Sequence, residues 1–254
     1  MMIDLNSDIG ESYGAYSIGA DEEILRWVTS ANVACGWHGG DPSVMRRTIQ
    51  RAKELGVRVG AHPSYPDLLG FGRRVMEITR QEARDYILYQ IGALRAFAHA
   101  LGVTLQHVKP HGAMYNAAVK DRELSLGIAE GVADAGGDLI LVGLSGSELV
   151  RAGWDVGLHV AREAFGDRAY NEDGSLVPRR IPGSLITDPD AVADRVLALR
   201  RGAVKTITGK EIPIEVDTIC LHGDTPGAGA IARRVWERLE EAEITPRAMG
   251  EFVR

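Results

Sequence analysis

The segment LQHVKPHGAMYN, residues 105–116, carries three ionisable side chains whose types and spacing could do chemistry. His107, Lys109 and His111 occupy alternate positions, and alternate positions of an extended strand lie on one side of it. An imidazole can transfer protons near neutral pH, and an ammonium can stabilise a developing negative charge. Burying such groups is costly unless each is hydrogen-bonded or paired. We therefore interpret Lys109 and His111 as functional, whereas His107, in mid-strand, could be structural or functional.

Polar side chains also follow the other predicted strands. In a parallel β/α barrel the carboxyl ends of the strands form the functional face. The polar residues at these ends are Asn6, Asp8 and Glu11; His38 and Asp41; His62 and Asp67; Lys109 and His111; Ser145 and Ser147; Glu163, Asp167 and Arg168; and His222 and Asp224. Scattered surface charge would not favour one end of every strand, so we expect these groups to converge. His99 is interpreted as a helix-face residue, and His159 as a satisfied strand or core histidine.

The elements that position these residues alternate along the chain between short apolar runs and amphipathic stretches. The strand candidates are residues 2–6, 30–35, 57–61, 105–109, 138–143, 157–163 and 217–222. Helix starts are marked by Asp41-Pro42, by the capping box Thr79-Arg-Gln-Glu82, by Asp188-Pro189 and by Pro226-Gly227. Seven strand-then-helix units predict a parallel α/β sheet, either closed as a barrel or open and doubly wound.

Nucleotide-binding motifs are weak in this chain. The pattern G-x-G-x-x-G does not follow the first strand, which argues against a dinucleotide fold. A Walker A sequence is also lacking, and GAGAIARR at 227–234 has no Lys-Ser/Thr pair. We interpret that glycine-rich run as helix-start packing. Any nucleotide contacts would then come from partner chains or from an unfamiliar site.

Composition restricts the classes of partner. The chain has 254 residues, of which 45% are hydrophobic and 25% charged, so it can form one large domain. Its net charge is −6 and no basic cluster interleaves with aromatic residues, so we expect no nucleic-acid partner. We expect no membrane association, because no apolar run reaches about 20 residues. Cys35 and Cys220 lie in apolar runs and are predicted to be buried free thiols of a cytoplasmic protein.

Seven sequence blocks together resemble the LamB/YcsF family. In chain order they are DLNSDIGE, ANVACGWHGGDP, HPSYPD, GFGRR, VKPHGAMYN, EAFGDRAY and CLHGDTPGA. They extend from Asp4 to about Ala230. Each block is short, but seven in the same order are highly specific. The chain reads CGWHGGD and FGDR where family members often read CGxHAGD and FADR, and these replacements exchange one small residue for another.

The resemblance implies a fold and an activity. The fold would be a single domain over residues 1–254, a seven-stranded β/α barrel similar to the glycoside hydrolase/polysaccharide deacetylase barrels. The family is the A subunit of bacterial ATP-dependent 5-oxoprolinase. The implied reaction is therefore hydrolysis of the lactam of 5-oxo-L-proline to L-glutamate, with ATP as co-substrate converted to ADP and phosphate. The chain would act in a complex with two further subunits, B and C.

The chemistry of a lactam suggests roles for the polar residues. Amide resonance makes the carbonyl a poor electrophile, and ATP could phosphorylate its oxygen to give a leaving group. Water must then be activated and negative charge stabilised. Candidate catalytic residues are Asp8, His38, His62, Lys109, His111 and Glu163. Candidate substrate-binding residues are Asn6, Arg73, Asp167, Arg168, His222 and Asp224. Arg73, in the GFGRR loop, could hold a carboxylate or phosphate or simply be solvated.

The same residue types are also compatible with a bound metal ion and with two other functions. Asp8, His38 and His62 are a possible ligand set for zinc or another divalent ion. The divalent metal could instead be Mg²⁺ that accompanies ATP. A metal-free hydrogen-bonded cluster would use the same side chains. One alternative function is a metal-dependent carbohydrate deacetylase-like hydrolase, which would act without ATP. The other is a non-catalytic lactam-binding subunit whose partners perform the chemistry.

Overall fold

The structure is a computed structural model that describes residues 2–223 and 227–253. The strands are β1 (Met2–Ile9), β2 (Ser30–Ala34), β3 (Arg58–His62), β4 (His107–Val108), β5 (Ile140–Leu144), β6 (His159–Phe165), β7 (Ala203–Lys205), β8 (Glu211–Pro213), β9 (Thr218–Cys220) and β10 (Thr245–Pro246). The helices are α1 (Asp21–Ile24), α2 (Pro42–Glu54), α3 (Arg80–Ala100), α4 (Gly112–Ala117), α5 (Arg122–Ala135), α6 (Glu148–Asp155), α7 (Pro189–Arg200) and α8 (Ala228–Glu241). A 3₁₀ turn at Met249–Glu251 follows.

Seven of the described strands close into a parallel barrel in the order β1-β2-β3-β4-β5-β6-β9. Closure depends on β9, which pairs in parallel with β6 on one side and with β1 on the other. This arrangement confirms the predicted seven-stranded β/α barrel and excludes the open doubly wound sheet. β10 pairs with the start of β1, while β7 and β8 form a separate antiparallel pair.

The helix starts follow the capping signals in the sequence. Asp41 accepts hydrogen bonds from the backbone N–H groups of Ser43 and Val44 at the start of α2. Thr79 and Glu82 form the predicted capping box of α3. Asp188 accepts from the backbone of Ala191 at the start of α7. These side chains satisfy N–H groups that have no partner within the helix, which explains why the boundaries could be read locally.

The barrel separates an apolar layer from a polar interior. On β1, Ile3, Leu5 and Ile9 are fully buried and belong to the main hydrophobic cluster, which includes residues of the surrounding helices. The alternate residues Asp4 and Asn6 are also fully buried, but they hydrogen-bond across the barrel. The period of two along a strand therefore sends apolar side chains toward the helices and polar ones toward the barrel axis.

The C-terminal segment closes the amino end of the barrel. The backbone N–H of Met249 donates to Asp4 Oδ1 at 3.1 Å, and that of Gly250 donates to Gln106 Oε1 at 3.2 Å. The Met249 side chain is fully buried and packs with Ile140 and Val142 of β5. The polar interior is therefore accessible from the opposite, carboxyl end.

The connection from β6 to β9 was only partly predicted. The helix after Asp188 is present as α7, but the β7–β8 pair was missed. Each of these strands has three residues, and the burial of β8 alternates only between exposed and intermediate. Such short, exposed strands lack the run of apolar residues on which the strand predictions depended. No helix in the described residues is long and apolar enough to cross a membrane.

Candidate active site at the carboxyl end of the barrel

A cavity of about 590 Å³ opens at the carboxyl end of the barrel. Its wall includes side chains at or just after the ends of several strands, which are Asp8 and Glu11, His62, Lys109 and His111, Phe165 and Arg168, and His222. These residues come from β1, β3, β4, β6 and β9 and the loops that follow them. The structure thus brings together side chains that are up to about 200 residues apart in the sequence, in the arrangement expected of a parallel barrel.

Lys109 lies at the centre of the site and is almost fully buried. Its Nζ is 2.8 Å from Glu163 Oε1, 3.1 Å from Asp8 Oδ1 and 3.1 Å from Cys220 Sγ. Burial alone would lower the pKa of this ammonium. The negative charges of Asp8 and Glu163 outweigh burial and hold the pKa of Lys109 well above its usual value. Lys109 is therefore a fixed positive charge at the floor of the cavity.

The two carboxylates beside Lys109 have different surroundings. Glu163 is fully buried, and it accepts hydrogen bonds from the Tyr115 hydroxyl at 2.6 Å and from Asn6 Nδ2 at 3.0 Å. The Asp8 side chain is 14% exposed and lines the cavity. Burial raises the pKa of Asp8, but the charges of His62 and Lys109 outweigh burial and hold that pKa well below its usual value. Asp8 is thus the carboxylate of this pair that reaches the cavity.

A cluster of three histidines and one glutamate lies next to Asp8 and could hold a metal ion. We call Glu11, His38, His62 and His111 the His–Glu cluster. Glu11 Oε1 is 3.1 Å from His38 Nε2, 3.2 Å from His111 Nδ1 and 3.9 Å from His62 Nε2. His62 Nε2 is 3.0 Å from His111 Nδ1 and 3.4 Å from Asp8 Oδ2. All four side chains are buried or nearly so.

The members of the His–Glu cluster differ in charge. Burial, together with the nearby His111, lowers the pKa of His38 to about 3, so His38 is neutral. Burial also lowers the pKa of His62, but the Asp8 carboxylate more than compensates and raises it overall. Burial raises the pKa of Glu11, yet the neighbouring His111 and His38 hold it well below its ordinary value. A buried carboxylate thus remains ionised beside a neutral imidazole.

Three arginine side chains also line the cavity. Arg168 is 7% exposed, and its Nη2 donates to the Val177 carbonyl at 2.7 Å. Burial, followed by the nearby charge of Arg179, lowers the pKa of Arg168. Arg179 and Arg73 also line the cavity. The Arg73 guanidinium lies 4.9 Å from the centre of the Phe71 ring. Guanidinium groups in this position suit a carboxylate or phosphate ligand.

Some predicted site residues lie behind the cavity wall. Asn6, His38, Glu163 and Asp167 are not among the described residues that line the cavity. Asn6 and Asp167, predicted to contact substrate, instead contact wall residues: Asn6 accepts from Lys109 Nζ at 3.2 Å, and Asp167 lies 2.8 Å from His222 Nδ1. Asp8, His62, Lys109, His111, Arg73, Arg168 and His222 do line the cavity. Asp224 lies outside the described residues.

The sequence-based candidates omitted three residues of the site, namely Glu11, Tyr115 and Arg179. Glu11 follows the same strand as Asp8, so its position already indicated that it could reach the site. Tyr115 lies one turn after His111 on α4, within the same block VKPHGAMYN. Arg179 carried no signal, because the loop after β6 has no regular period. For the metal, the structure places Glu11, rather than Asp8, next to His38.

Several other polar residues have structural partners. His107 Nε2 donates to Asn32 Oδ1 at 2.7 Å and its Nδ1 accepts from Gln106 Nε2 at 3.2 Å, which answers the question left open for this residue. Ser147 caps α6. His159 is the first residue of β6, as expected of a strand histidine, but it is exposed, so the alternative of a core histidine was wrong. His99 is exposed on α3.

The two cysteines are buried, as predicted from their apolar surroundings. Burial raises the pKa of the Cys35 thiol to about 12. Burial also holds the pKa of Cys220 well above its usual value, although the charge of Lys109 acts in the opposite direction. Both thiols are therefore neutral, and neither has the lowered pKa of a nucleophilic cysteine.

A closed parallel barrel with an ionisable cluster at the carboxyl ends of its strands defines the chain as a β/α-barrel protein with a candidate active site at that end. The LamB/YcsF family model matches residues 3–254, and the chain belongs to the LamB/YcsF family. The resemblance carried by the seven sequence blocks is thereby confirmed.

Individual relatives are similar over their full length. The 5-oxoprolinase A subunit of Thermococcus sibiricus is 55% identical over 255 residues, covering 100% of both chains. The corresponding A subunit of Bacillus licheniformis 5-oxoprolinase is 53% identical over 98% of each chain. The crystal structure of a lactam utilization protein from Thermus thermophilus matches with a TM-score of 0.93 at 48% identity, covering 98% of this chain and 100% of that one.

A more distant structural neighbour extends the likeness of the fold. A family 4 carbohydrate esterase from Streptomyces lividans matches with a TM-score of 0.51 at 12% identity, covering 100% of this chain and 95% of that one. This similarity supports the expected likeness to deacetylase barrels as a fold. At such low identity it carries no argument about activity.

Proposed function

We propose that this chain is the A subunit of an ATP-dependent 5-oxoprolinase. The reaction is hydrolysis of the lactam of 5-oxo-L-proline to L-glutamate, with ATP converted to ADP and phosphate. The observation that carries the proposal is the pairing of full-length relatives named as 5-oxoprolinase A subunits with a cavity that contains both fixed cations and an accessible carboxylate. Lactam hydrolysis needs both kinds of group, since negative charge develops on oxygen while water loses a proton.

The cavity suits a small anionic substrate. The carboxylate of 5-oxoproline requires a cationic partner, and Arg168 and Arg179 line the same cavity as Lys109. In our proposal these guanidinium groups hold the substrate carboxylate and Lys109 faces the lactam carbonyl. Phe165 supplies an apolar surface next to Lys109, with its ring centre 5.2 Å from Nζ. The cavity volume of about 590 Å³ also leaves room for more than this ligand.

Phosphorylation of the lactam oxygen by ATP overcomes the low reactivity of the amide. Water adds to the activated carbon, the C–N bond breaks, and the ring nitrogen takes a proton as it leaves. The resulting acyl phosphate reacts with a second water to release phosphate and glutamate. In our assignment Asp8, which reaches the cavity, orients the water and accepts its proton. Lys109 stabilises the negative charge on oxygen.

Partner chains complete the activity in this proposal. The relatives are named as one subunit of an enzyme, and we propose partners that correspond to the B and C subunits of a cytoplasmic complex. ATP is the co-substrate. Because the sequence contains no recognised phosphate loop, the partners would supply much of the nucleotide site.

The test measures glutamate release from 5-oxoproline and ATP by the complex co-expressed with its partners. Asp8→Asn has a matched control in Asp4→Asn, since both residues are on β1 and face the barrel interior from opposite ends. We expect turnover to fall at least about 100-fold for Asp8→Asn and to stay within about 3-fold, per folded chain, for Asp4→Asn. Equal activity of Asp8→Asn and wild type would refute the assignment.

Acetate release from an acetylated sugar and the separate measurement of kcat and KM distinguish the alternative functions. A carbohydrate deacetylase would release acetate from an acetylated sugar without ATP, and the proposal expects no such release. A non-catalytic lactam-binding subunit would lose substrate affinity on mutation without a separate loss of turnover. We expect Asp8→Asn to lower kcat far more than it raises the KM for 5-oxoproline, because Asp8 acts on the water and not on the substrate carboxylate.

A further inference from the structure

The tautomers of two histidines in the His–Glu cluster are set by backbone carbonyl groups. His62 Nδ1 is 2.7 Å from the Lys109 carbonyl oxygen, and His111 Nε2 is 2.9 Å from the Phe71 carbonyl oxygen. A carbonyl oxygen only accepts hydrogen bonds, so each of these ring nitrogens must carry the hydrogen and donate it. In the neutral rings the other nitrogens, His62 Nε2 and His111 Nδ1, therefore hold lone pairs.

These lone pairs point toward one another and toward a carboxylate. His62 Nε2 and His111 Nδ1 are 3.0 Å apart, and Glu11 Oε1 is 3.2 Å from His111 Nδ1. Asp8 Oδ2 is 3.4 Å from His62 Nε2. Placing two hydrogen-bond acceptors in contact inside a protein costs free energy, because neither can donate a hydrogen to the other. A positive centre must lie between them, and it is either an added proton on one imidazole or a metal ion.

The spacing of these acceptors matches the ligand shell of a small ion. Donor atoms bound tetrahedrally to zinc at about 2.0–2.2 Å are about 3.3–3.5 Å apart. The three distances among Glu11 Oε1, His62 Nε2 and His111 Nδ1 are 3.0, 3.2 and 3.9 Å. An ion can therefore be accommodated with shifts of a few tenths of an ångström. Outer hydrogen bonds from ligating imidazoles to backbone carbonyls are also the usual support of a metal site.

His38 is better assigned to a supporting role than to a ligand. It does not belong to the described lining of the cavity, whereas Glu11, His62 and His111 do. Its Nδ1 is buried and has no hydrogen-bond partner among the described residues. Binding a metal through Nε2 would force the hydrogen onto that partnerless nitrogen. Donation of the Nε2 hydrogen to Glu11 Oε1 at 3.1 Å avoids this cost and orients the carboxylate.

A second group of possible ligands, Asp8, Cys220 and His222, does not fit a metal ion as well. Lys109 Nζ lies 3.1 Å from both Asp8 Oδ1 and Cys220 Sγ. The ammonium already neutralises the Asp8 carboxylate and would repel a second cation at the same point. The thiol, moreover, is not ionised.

We propose that the chain binds one divalent transition-metal ion through Glu11 Oε1, His62 Nε2 and His111 Nδ1, with its remaining position facing the cavity. Two imidazoles and one carboxylate suit zinc or cobalt, whereas magnesium prefers oxygen ligands. This differs from the ligand set Asp8, His38 and His62 expected from sequence. Asp8, already paired with Lys109, lies at the edge of the site. The inference concerns metal binding by this chain alone and does not depend on the proposed reaction.

The test measures metal content and affinity of the full-length chain without partners, ATP or substrate. Metal is removed with a chelator, Zn²⁺ or Co²⁺ is added back, and bound metal is determined by mass spectrometry and titration calorimetry. We expect one equivalent per chain, a visible absorption spectrum of low-coordinate Co²⁺, and a rise in Tm on metal addition. If the chain binds less than about 0.2 equivalents at saturating Zn²⁺, the positive centre is a proton on His62 and the proposal is wrong.

Variants identify the ligands. We expect His111→Gln and Glu11→Gln each to weaken Zn²⁺ binding at least about 1,000-fold and to abolish the Co²⁺ spectrum. His38→Gln should weaken it only about 10–100-fold while keeping one equivalent. Asp4→Asn, at the other end of the barrel, is the control and should bind as wild type does. If His111→Gln does not fold, Glu11→Gln decides the outcome. Wild-type affinity in the ligand variant that folds would overturn the proposal.

Discussion

The two ends of the barrel interior are built on the same strands but are completed differently. At the amino end, Asp4 accepts hydrogen bonds from the hydroxyls of Thr29, Ser30 and Thr218 and from the Met249 backbone N–H. The acceptor there is matched by donors, and the C-terminal segment covers it. This end is a closed polar core.

At the carboxyl end, hydrogen-bond acceptors face other acceptors. Glu11, His62 and His111 present acceptors within 3.0–3.9 Å of each other, and Lys109 is shared among several acceptors. This end opens onto the cavity. The comparison teaches that burial of polar groups does not by itself indicate function. What separates the ends is whether the buried groups satisfy one another, since an incompletely matched set leaves interactions available for a ligand.

Replacing Lys109 is expected to have the largest effect on this contrast. Lys109→Met removes the cation between Asp8 and Glu163, so we expect turnover of the complex to fall at least about 1,000-fold. The free energy of unfolding should also fall by about 3–5 kcal/mol, because both carboxylates lose their buried partner. Lys53→Met, on the exposed surface of α2, is the control and should change turnover less than about 2-fold. Retention of a tenth of the activity by Lys109→Met would contradict the role assigned to this end.

Removing the cover of the amino end should affect stability without affecting chemistry. Met249→Ala leaves a space among Ile140, Val142 and Ala161, so we expect a loss of about 2–5 kcal/mol in the free energy of unfolding. Urea denaturation measures this loss. Turnover per folded chain should stay within about 3-fold of wild type. A large loss of turnover with unchanged stability would show that the two ends are not separable in function.

The amino end should also have its own pH dependence. Burial raises the pKa of Asp4 from 3.8 to about 6, so the folded chain holds a proton up to about pH 6 that the unfolded chain releases near pH 3.8. The protonated Asp4 carboxyl therefore contributes fully to the free energy of unfolding below pH 3.8, and this contribution is lost as the pH rises through 6. The total effect is up to about 3 kcal/mol.

Asp4→Asn tests this sign. Its free energy of unfolding, measured by urea denaturation between pH 4 and 8, should lack the decline attributed to Asp4. As the pH rises, the free energy of unfolding of the wild type should therefore fall relative to that of the variant. Parallel curves over this range would mean that Asp4 does not titrate in the folded chain.

We expect a smaller effect on turnover and stability when a single hydrogen bond to Glu163 is removed at the carboxyl end. Tyr115→Phe removes the 2.6 Å bond to Glu163 Oε2 but keeps the ring. We expect turnover to fall about 5- to 20-fold and the free energy of unfolding to fall by about 1–3 kcal/mol. Tyr89→Phe, on an exposed face of α3, should match wild type in both measurements. If Tyr115→Phe behaves like Tyr89→Phe, Glu163 is held in place by Asn6 and Lys109 alone.

The sequence alone determined the class of fold, several helix starts and the family. The period-two alternation on β1 and the caps at Asp41, Thr79 and Asp188 are local signals, because they involve residues within a few positions of one another. The same reasoning placed Asp8, His62, Lys109 and His111 at one end of the barrel. It could not choose between an open and a closed sheet, since closure depends on pairing of β9 with β1 across more than 200 residues.

Only the tertiary structure decided how the site residues are matched. Whether His107 or His111 is satisfied depends on partners such as Asn32 and Phe71, which lie 75 and 40 residues away. Glu11 joins the His–Glu cluster because the loop after β1 folds back against His38, 27 residues on. A sequence specifies which strand end carries an ionisable group. The tautomer and charge of that group are set by the donors and acceptors that the closed barrel brings within about 3 Å of it.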